Sequence, residues 1–231
     1  MAYPLYLTVG RVPAPADAPA LRKRLEKAFP HKDNIPYLDA LSTSPLPRVT
    51  AERLGALSLL PTLLQEAGIP TDTLLLRRDG RGRPYCATAD GSPAGFDFNL
   101  SHSAGHVTCA VLVGDGHVGV DIEEPIPPER ALPLIRRFCT EGELALLAEL
   151  PPDDALTARF FTSTWVEREA IAKQEGGGMP LRFDTARLPE GIMLWTGFLP
   201  ESEAKIAVCA PMRNAPAYPR VLSDSLPVSF S

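Results

Sequence analysis

The sequence predicts an α+β fold of two similar lobes related by a pseudo-two-fold axis, each with helices packed on a small antiparallel sheet. Three observations predict it. Amphipathic stretches precede paired apolar strands in both halves of the chain. A Gly114-Asp115-Gly116 turn marks a hairpin near the middle. And 231 residues at 45% hydrophobic composition can bury a core of that size.

The elements follow in order. Tyr3 to Val9 alternates as a strand, Asp17 to Phe29 as an amphipathic helix, and Thr50 to Ala67 as a long helix that Pro61 should kink. Leu74 to Arg78 reads as a short strand. Phe96, Phe98 and Leu100 alternate with polar residues, Val107 to Val113 is continuously apolar, and the glycine turn leads into Val118 to Glu123. These three strands are expected to form one antiparallel meander. Helices follow at Arg130 to Phe138, Glu141 to Leu150 and Ala155 to Gln174, then a hairpin of Ile192 to Leu199 and Lys205 to Ala210. The expected boundaries are 1–116 for the first lobe, 117–212 for the second and 213–231 for a tail. Twenty-five prolines punctuate this pattern, and those from Pro211 to Pro227 mark a tail that wraps the body or frays.

Composition bounds the function. A formal charge of −5 excludes a broad basic footprint for nucleic acid. The four cysteines are widely spaced, without a CxxC pair or a zinc-like cluster, and read as reduced, mostly buried thiols. The N-terminus lacks signal-peptide character and no run reaches membrane-spanning length, so a cytoplasmic protein is expected.

Carboxylates carry the chemistry. On the strand from Val118, Val120 and Ile122 face one side, while Asp121 and Glu123 share the other with Gly119, which is expected to leave open space. Two carboxylates so close resist joint ionisation unless a cation lies between them, which suits a hard divalent metal; a solvated strand edge is the plainer alternative. In the last long helix Phe161, Trp165, Glu169 and Lys173 recur every four residues, so Glu169 extends an apolar stripe expected to face inward. There it is either a third metal ligand or the partner of Lys173. Glu143 sits at the third position of a Thr140-Glu141-Gly142-Glu143 capping box. Glu124 and Glu167 look like surface charges.

Ser101-His102-Ser103 follows the Phe96 strand and is placed at its end or in a turn, where it suits phosphate oxygens; a capped turn is the alternative, and no G-x-S-x-G elbow surrounds Ser101. Gly80 to Pro84 reads as a flexible basic turn, Gly176-Gly177-Gly178 as a helix stop, and neither is a P-loop. Arg48 and Arg53 near the long helix are solvated or hold a phosphate.

In order and spacing these motifs resemble the 4′-phosphopantetheinyl transferases of the Sfp type. The match runs through Gly82-Arg83-Pro84, Phe98-Asn99-Leu100-Ser101-His102-Ser103, Gly119-Val120-Asp121-Ile122-Glu123, Arg137-Phe138 with Glu143, Trp165 with Arg168-Glu169 and Lys173, and Gln174 to Gly178, over about residues 48 to 182. The resemblance implies two α+β lobes with coenzyme A between them as substrate. It implies Mg²⁺ held by Asp121, Glu123 and Glu169, with Lys173 and Arg168 on the diphosphate. Ser101 and His102 would contact the phosphates of 3′-phosphoadenosine, Arg83 and Pro84 would border the adenine, and Arg48 and Arg53 would help hold the nucleotide. The acceptor would be a serine of an apo acyl, peptidyl or aryl carrier protein, landing on Arg130, Leu134, Arg136 and Arg137. Glu143 is then base or cap, with Glu169 the reserve base, and a monomer suffices. Two departures stand out: arginine at 168 where the family has lysine, and Leu38 and Leu41 where lysines are expected. A metal-dependent nucleotide phosphohydrolase and a non-catalytic binding homologue are the competing readings.

Overall fold

A computed structural model describes residues 5–103, 105–176, 188, 190–211 and 218–230. Four layers stack in it. The outermost holds helices α1 (Ala18–Ala28), α2 (Ile35–Ser42), α3 (Pro47–Ser58) and α4 (Leu60–Glu66). Beneath them lies a sheet of β1 (Leu5–Arg11), β4 (Phe96–Ser103), β5 (His106–Val113) and the two-residue β9 (Arg220–Val221), in the order β4-β5-β1-β9. Its other face packs on a second sheet of β6 (Gly119–Glu123), β7 (Ile192–Phe198), β8 (Lys205–Pro211) and β10 (Ser229–Phe230), in the order β10-β7-β8-β6. Helices α5 (Pro128–Phe138), α6 (Glu141–Glu149) and α7 (Asp154–Glu175) follow, with α7 covering the second sheet. A separate hairpin of β2 (Leu74–Arg78) and β3 (Pro84–Thr88) sits beside β4.

The layers follow from which residues are apolar on which face. Leu25, Leu54, Leu57, Leu60, Leu63 and Leu64 of the first helices meet Phe98, Cys109 and Val111 of the first sheet. The opposite sides of the same strands, Leu5, Leu7, Val9 and Ala110, meet Val120, Ile122, Ile206 and Val208 of the second sheet. Both faces of each sheet are therefore dry, which is why Val107 to Val113 reads as an unbroken apolar run instead of alternating. In each sheet a hairpin is joined by an earlier strand, β4-β5 by β1 and β7-β8 by β6.

Several expectations are corrected. The meander is a two-stranded hairpin only: β4 pairs with β5, but β6 leaves to pair with β8 in the other sheet. The long helix does break where Pro61 is expected to kink it, at Leu59 between α3 and α4, because Pro61 has no N–H to give to Leu57 and its ring crowds that carbonyl. Strand β4 continues through Ser103, so Ser101 and His102 lie at the strand's end, the first of the two expected placements, and not in a turn. Helix α2, strand β3 and the short β9 and β10 carry too little pattern to be read from the sequence. Where described, the tail wraps the body: β9 extends the first sheet beside β1, and β10 the second beside β7.

Candidate active site

Strand β6 is the edge of its sheet, so the N–H and C=O groups on its free side need partners. Side chains supply them. On β4, Asp97, Asn99, Ser101 and Ser103 alternate on one face, and each reaches across to β6. Asp97 Oδ2 accepts from Val118 N at 2.8 Å, and Asn99 Oδ1 from Val120 N at 3.0 Å. Ser101 Oγ donates to Asp121 Oδ1 at 2.7 Å, and Ser103 Oγ donates to Glu123 Oε2. The carbonyls are capped by cations: Arg83 Nη2 donates to Val118 O at 2.7 Å and Lys173 Nζ to Val120 O at 3.3 Å. The polar face of Phe96 to Ser103 thus stitches the two sheets together.

Gly119 sets the distance from β6 to α7. A Cβ there would lie 1.9 Å from Ala170 O and 2.6 Å from Gln174 N, so the space expected to be open is filled by the backbone of α7. That approach brings Lys173 onto the strand: its Nζ lies 2.6 Å from Asp121 Oδ1 and 3.1 Å from Ser101 Oγ. The helix is begun by Asp153, which accepts from Ala155 N and Leu156 N, and ended by Gly176 at φ 69°, a left-handed position that suits glycine. Gly177 and Gly178 lie outside the described residues. The stripe Phe161, Trp165, Glu169, Lys173 runs along the rim of α7: Phe161 is buried, the others half-buried, and the inward face is Thr162, Val166 and Ala170.

Asp121, Glu123, Glu169 and Lys173 form one electrostatic neighbourhood. Burial and, after it, the charge of Asp121 raise the Glu123 and Glu169 carboxyls above the ordinary glutamate value, with Glu123 adding to this in Glu169; Ser103, Lys173 and Arg130 oppose it in Glu123, and Lys173 in Glu169. Asp121 Oδ2 is buried and, among the described residues, has no hydrogen-bond partner. Among those residues no three His, Cys, Asp or Glu side chains are gathered tightly enough to hold a metal ion. Lys173 and Ser101 engage one oxygen of Asp121 and Ser103 engages Glu123, so the carboxylates are drawn to their own neighbours.

Arg83 is not a free basic side chain on a flexible turn. Asp79 Oδ1 pins that turn by accepting from Arg81 N and Arg83 N, and the Arg83 side chain, 10% exposed, pairs with Asp97 Oδ2 at 2.5 Å and donates to Lys173 O. It still lines a cavity of ≈ 300 Å³ with Arg81, Pro84, Asn99, Leu100 and Lys173.

Glu143 makes the expected capping box: it accepts from Thr140 N at 2.7 Å, and Thr140 Oγ1 accepts from Glu143 N at 3.3 Å. Both its oxygens also lie 2.6 Å from Arg168 Nη2, while Arg168 Nη1 donates to Phe138 O at 2.7 Å. Arg168 therefore ties α6 and the end of α5 to α7, a multi-donor task for which lysine is poorly shaped. Arg48 is exposed and bonds Glu52, Arg53 is exposed, and Leu38 and Leu41 are core residues. Glu124 and Glu167 are half-buried, not simply surface charges: Glu124 lies 3.6 Å from His106, and burial raises the Glu167 carboxyl.

Sequence reasoning missed Asp97 and Asn99, although they occupy the same alternating face as Ser101. It also missed Glu52, for which the helix pattern gives no signal.

Residues 117–191 match the model of the 4′-phosphopantetheinyl transferase superfamily. The chain is similar to Sfp-type phosphopantetheinyl transferases. It is 30% identical over 136 residues to the L-aminoadipate-semialdehyde dehydrogenase-phosphopantetheinyl transferase of Xenopus laevis, covering 56% of this chain and 44% of that protein. It is 30% identical over 128 residues to the 4′-phosphopantetheinyl transferase gsp of Aneurinibacillus migulanus, covering 54% and 48%. To the 4′-phosphopantetheinyl transferase Sfp of Bacillus subtilis it is 33% identical over 88 residues, covering 38% and 37%. The chain thus spans about half, or less, of the length of these relatives. The matched superfamily segment contains β6 and α7, and so Asp121, Glu123, Glu169 and Lys173.

Proposed function

We propose that the protein moves 4′-phosphopantetheine from coenzyme A to a serine hydroxyl of an apo acyl, peptidyl or aryl carrier protein, releasing adenosine 3′,5′-bisphosphate. One observation carries this reading: within the family-matched segment, Asp121, Glu123, Glu169 and Lys173 share one neighbourhood, and Lys173 also lines the cavity of ≈ 300 Å³ between β4, the β2-β3 turn and α7. A diphosphate there would meet Lys173, with Arg81 and Asn99 on the wall; the nucleotide would extend past Arg83 and Pro84 towards His102, Arg48 and Arg53.

The acceptor oxygen would attack the phosphorus on the pantetheine side of the diphosphate. The bond from that phosphorus to the bridging oxygen breaks, and the nucleotide leaves with the electron pair. Such a reaction is governed by in-line positioning and by neutralising charge on the equatorial and leaving oxygens. The carboxylates are of the oxygen-donor type that a hard divalent cation takes, with Asp121 Oδ2 buried and, among the described residues, unpartnered, and they would have to draw together from their present spacing to grip one ion. Asp121, Glu123 and Glu169 would hold Mg²⁺, which supplies charge neutralisation at the diphosphate when bound. Lys173 would then exchange Asp121 for a phosphate oxygen, and Ser101 would hold Asp121 in place. For the serine proton, the geometry favours Glu169 over Glu143. Glu143 is engaged by Thr140 and Arg168, whereas burial, and after it the charges of Asp121 and Glu123, raises the proton affinity of Glu169 against the opposing Lys173.

The shared order of hairpin plus earlier strand supports two lobes related by a pseudo-two-fold axis, meeting at Gly116, with boundaries 1–116, 117–212 and 213–231. Arg130, Arg136 and Arg137 are exposed on α5 and would face an acidic carrier; Leu134, half-buried on the α5–α7 cluster, would contribute little. Free thiols, three of them buried, support a reducing cytoplasm, where we take it to act as a monomer. Among the described residues no helix is long and apolar enough to cross a membrane.

Mass spectrometry of an apo carrier protein after incubation with coenzyme A, Mg²⁺ and this protein tests the reading. A gain of one phosphopantetheine is expected, absent with Asp121→Ala. Consumption of coenzyme A without any carrier would instead favour phosphohydrolase chemistry.

A further inference from the structure

Glu52 is a carboxylate where the protein is dry. It lies on α3 with only 8% of its surface exposed, and a charge so placed needs partners. Arg48 Nε, one turn earlier, donates to its Oε1 at 2.8 Å. Its other oxygen lies 3.6 Å from Nδ1 of His102 on β4. Arg48, Glu52 and His102 thus form a chain from helix to strand, ending in a half-buried imidazole. Two strand positions beyond Leu100 on the same face, His102 stands just past the cavity wall to which Leu100 belongs.

We propose that Glu52 is a positioning residue that makes His102 a proton-dependent donor to a phosphate monoester, which in the reading above is the 3′-phosphate of coenzyme A. The proposal rests on that reading of the cleft. With Nδ1 the ring nitrogen nearer the carboxylate, at 3.6 Å, the charge of Glu52 draws the ring proton to that side and Nε2, across the ring, is left for a ligand. A neutral ring then offers Nε2 as a lone pair, which repels a phosphate oxygen. A protonated ring offers N–H, and the carboxylate behind it stabilises that form.

The surroundings keep this balance open. Glu52 and Asp121 favour the charged ring. Burial, Lys173 and Arg53 oppose it, and burial dominates, holding the free imidazole below its ordinary value. A dianion arriving at Nε2 tips the balance, so binding takes up a proton. Leu38 and Leu41, where cations are expected, are buried in the core, and Arg48 is drawn towards Glu52. The charge on His102 therefore matters more at this end of the cleft than a neighbouring lysine would allow.

The test is calorimetric titration with adenosine 3′,5′-bisphosphate and with adenosine 5′-monophosphate, from about pH 5.5 to about pH 8, beside NMR titration of the His102 ring. Wild-type protein is expected to prefer the bisphosphate, increasingly so as pH falls. In Glu52→Gln the ring should titrate lower and bisphosphate affinity near neutrality should fall about tenfold, while monophosphate affinity stays within roughly twofold. Glu52→Asp should restore part of the preference. Equal weakening of both nucleotides, or an unmoved His102 titration, overturns the proposal, because a purely structural carboxylate would behave so. Wild-type protein with no preference overturns it too; if the carrier is then still modified, the proposed function stands without it. Conversely, Glu52-dependent preference in a protein that never modifies a carrier would sink the function and keep this inference.

Discussion

At Asp121 two demands meet in one side chain. One oxygen closes a network with Lys173 and Ser101, and the other is buried without a partner among the described residues, an arrangement that costs stability unless a ligand completes it. Asp121→Asn should remove the charge that holds Lys173, and phosphopantetheine transfer is expected to fall by on the order of a hundredfold or more, measured as carrier modified per minute. Glu143 and Glu169 separate in the same assay. Glu143→Gln keeps an acceptor for the cap but removes the charge that meets the buried Arg168, so it should cost about 1 to 3 kcal/mol in denaturant unfolding while leaving turnover within roughly tenfold, provided Glu169 is the base. Glu169→Gln should do the reverse. The Glu169 carboxyl is raised above its ordinary value, so the folded state binds its proton more tightly than the unfolded chain does. That contribution is complete below the ordinary glutamate value and is lost as pH rises through the folded value. At neutral pH the ionised group therefore weighs against folding, and Glu169→Gln should unfold at higher denaturant than wild type near pH 7, with the gap closing near pH 4. A gap that widens in acid would mean that Glu169 is stabilised as an anion in the fold.

At the scale of elements, the site depends on how closely α7 lies on β6. A methyl at Gly119 would fall 1.9 Å from Ala170 O, a backbone atom that can move only with the helix. Gly119→Ala should therefore destabilise by on the order of 3 kcal/mol and, because Glu169 and Lys173 ride on α7, reduce transfer even at temperatures where the protein stays folded. Thermal melts and turnover on the same sample check both. This close contact marks the limit of what the sequence discloses. The alternation around Gly119 places Asp121 and Glu123 on one face correctly, since a strand's period is local. What lies against that face is a long-range fact, and an absent side chain reads equally as space or as a neighbour's approach. Strand β6 shows the same limit. A glycine turn before it is a sound local signal for a hairpin, yet β6 pairs with β8, more than eighty residues on, because its apolar face fits the second sheet. Pro61, by contrast, acts within one turn, so the break it causes was legible, as were the Thr140 cap and the helix stop at Gly176.

Across the whole molecule, the two sheets meet edge to edge at β4 and β6 as well as face to face, and Arg83 is fastened to both sides of that seam. It pairs with Asp97 of β4, donates to Val118 beside β6 and to Lys173 of α7, and lines the proposed nucleotide cavity. Its buried pairing with Asp97 holds the cleft in shape more than it adds to net stability, because the desolvation of two charges offsets most of their attraction. Single and paired substitutions should therefore diverge. Asp97→Asn leaves Arg83 buried without its counter-charge and should cost about 3 to 5 kcal/mol in denaturant unfolding. Arg83→Met with Asp97→Leu removes both charges and should recover much of that loss. It leaves Val118 without two of its hydrogen-bond partners and takes one cation from a cavity wall that keeps Arg81 and Lys173, so the Kd for coenzyme A should still rise at least about tenfold. If the double variant binds coenzyme A as wild type does, the nucleotide does not pass Arg83. If it is less stable than Asp97→Asn, the pair is a net source of stability and the two sheets are held by charge, not by the apolar faces between them.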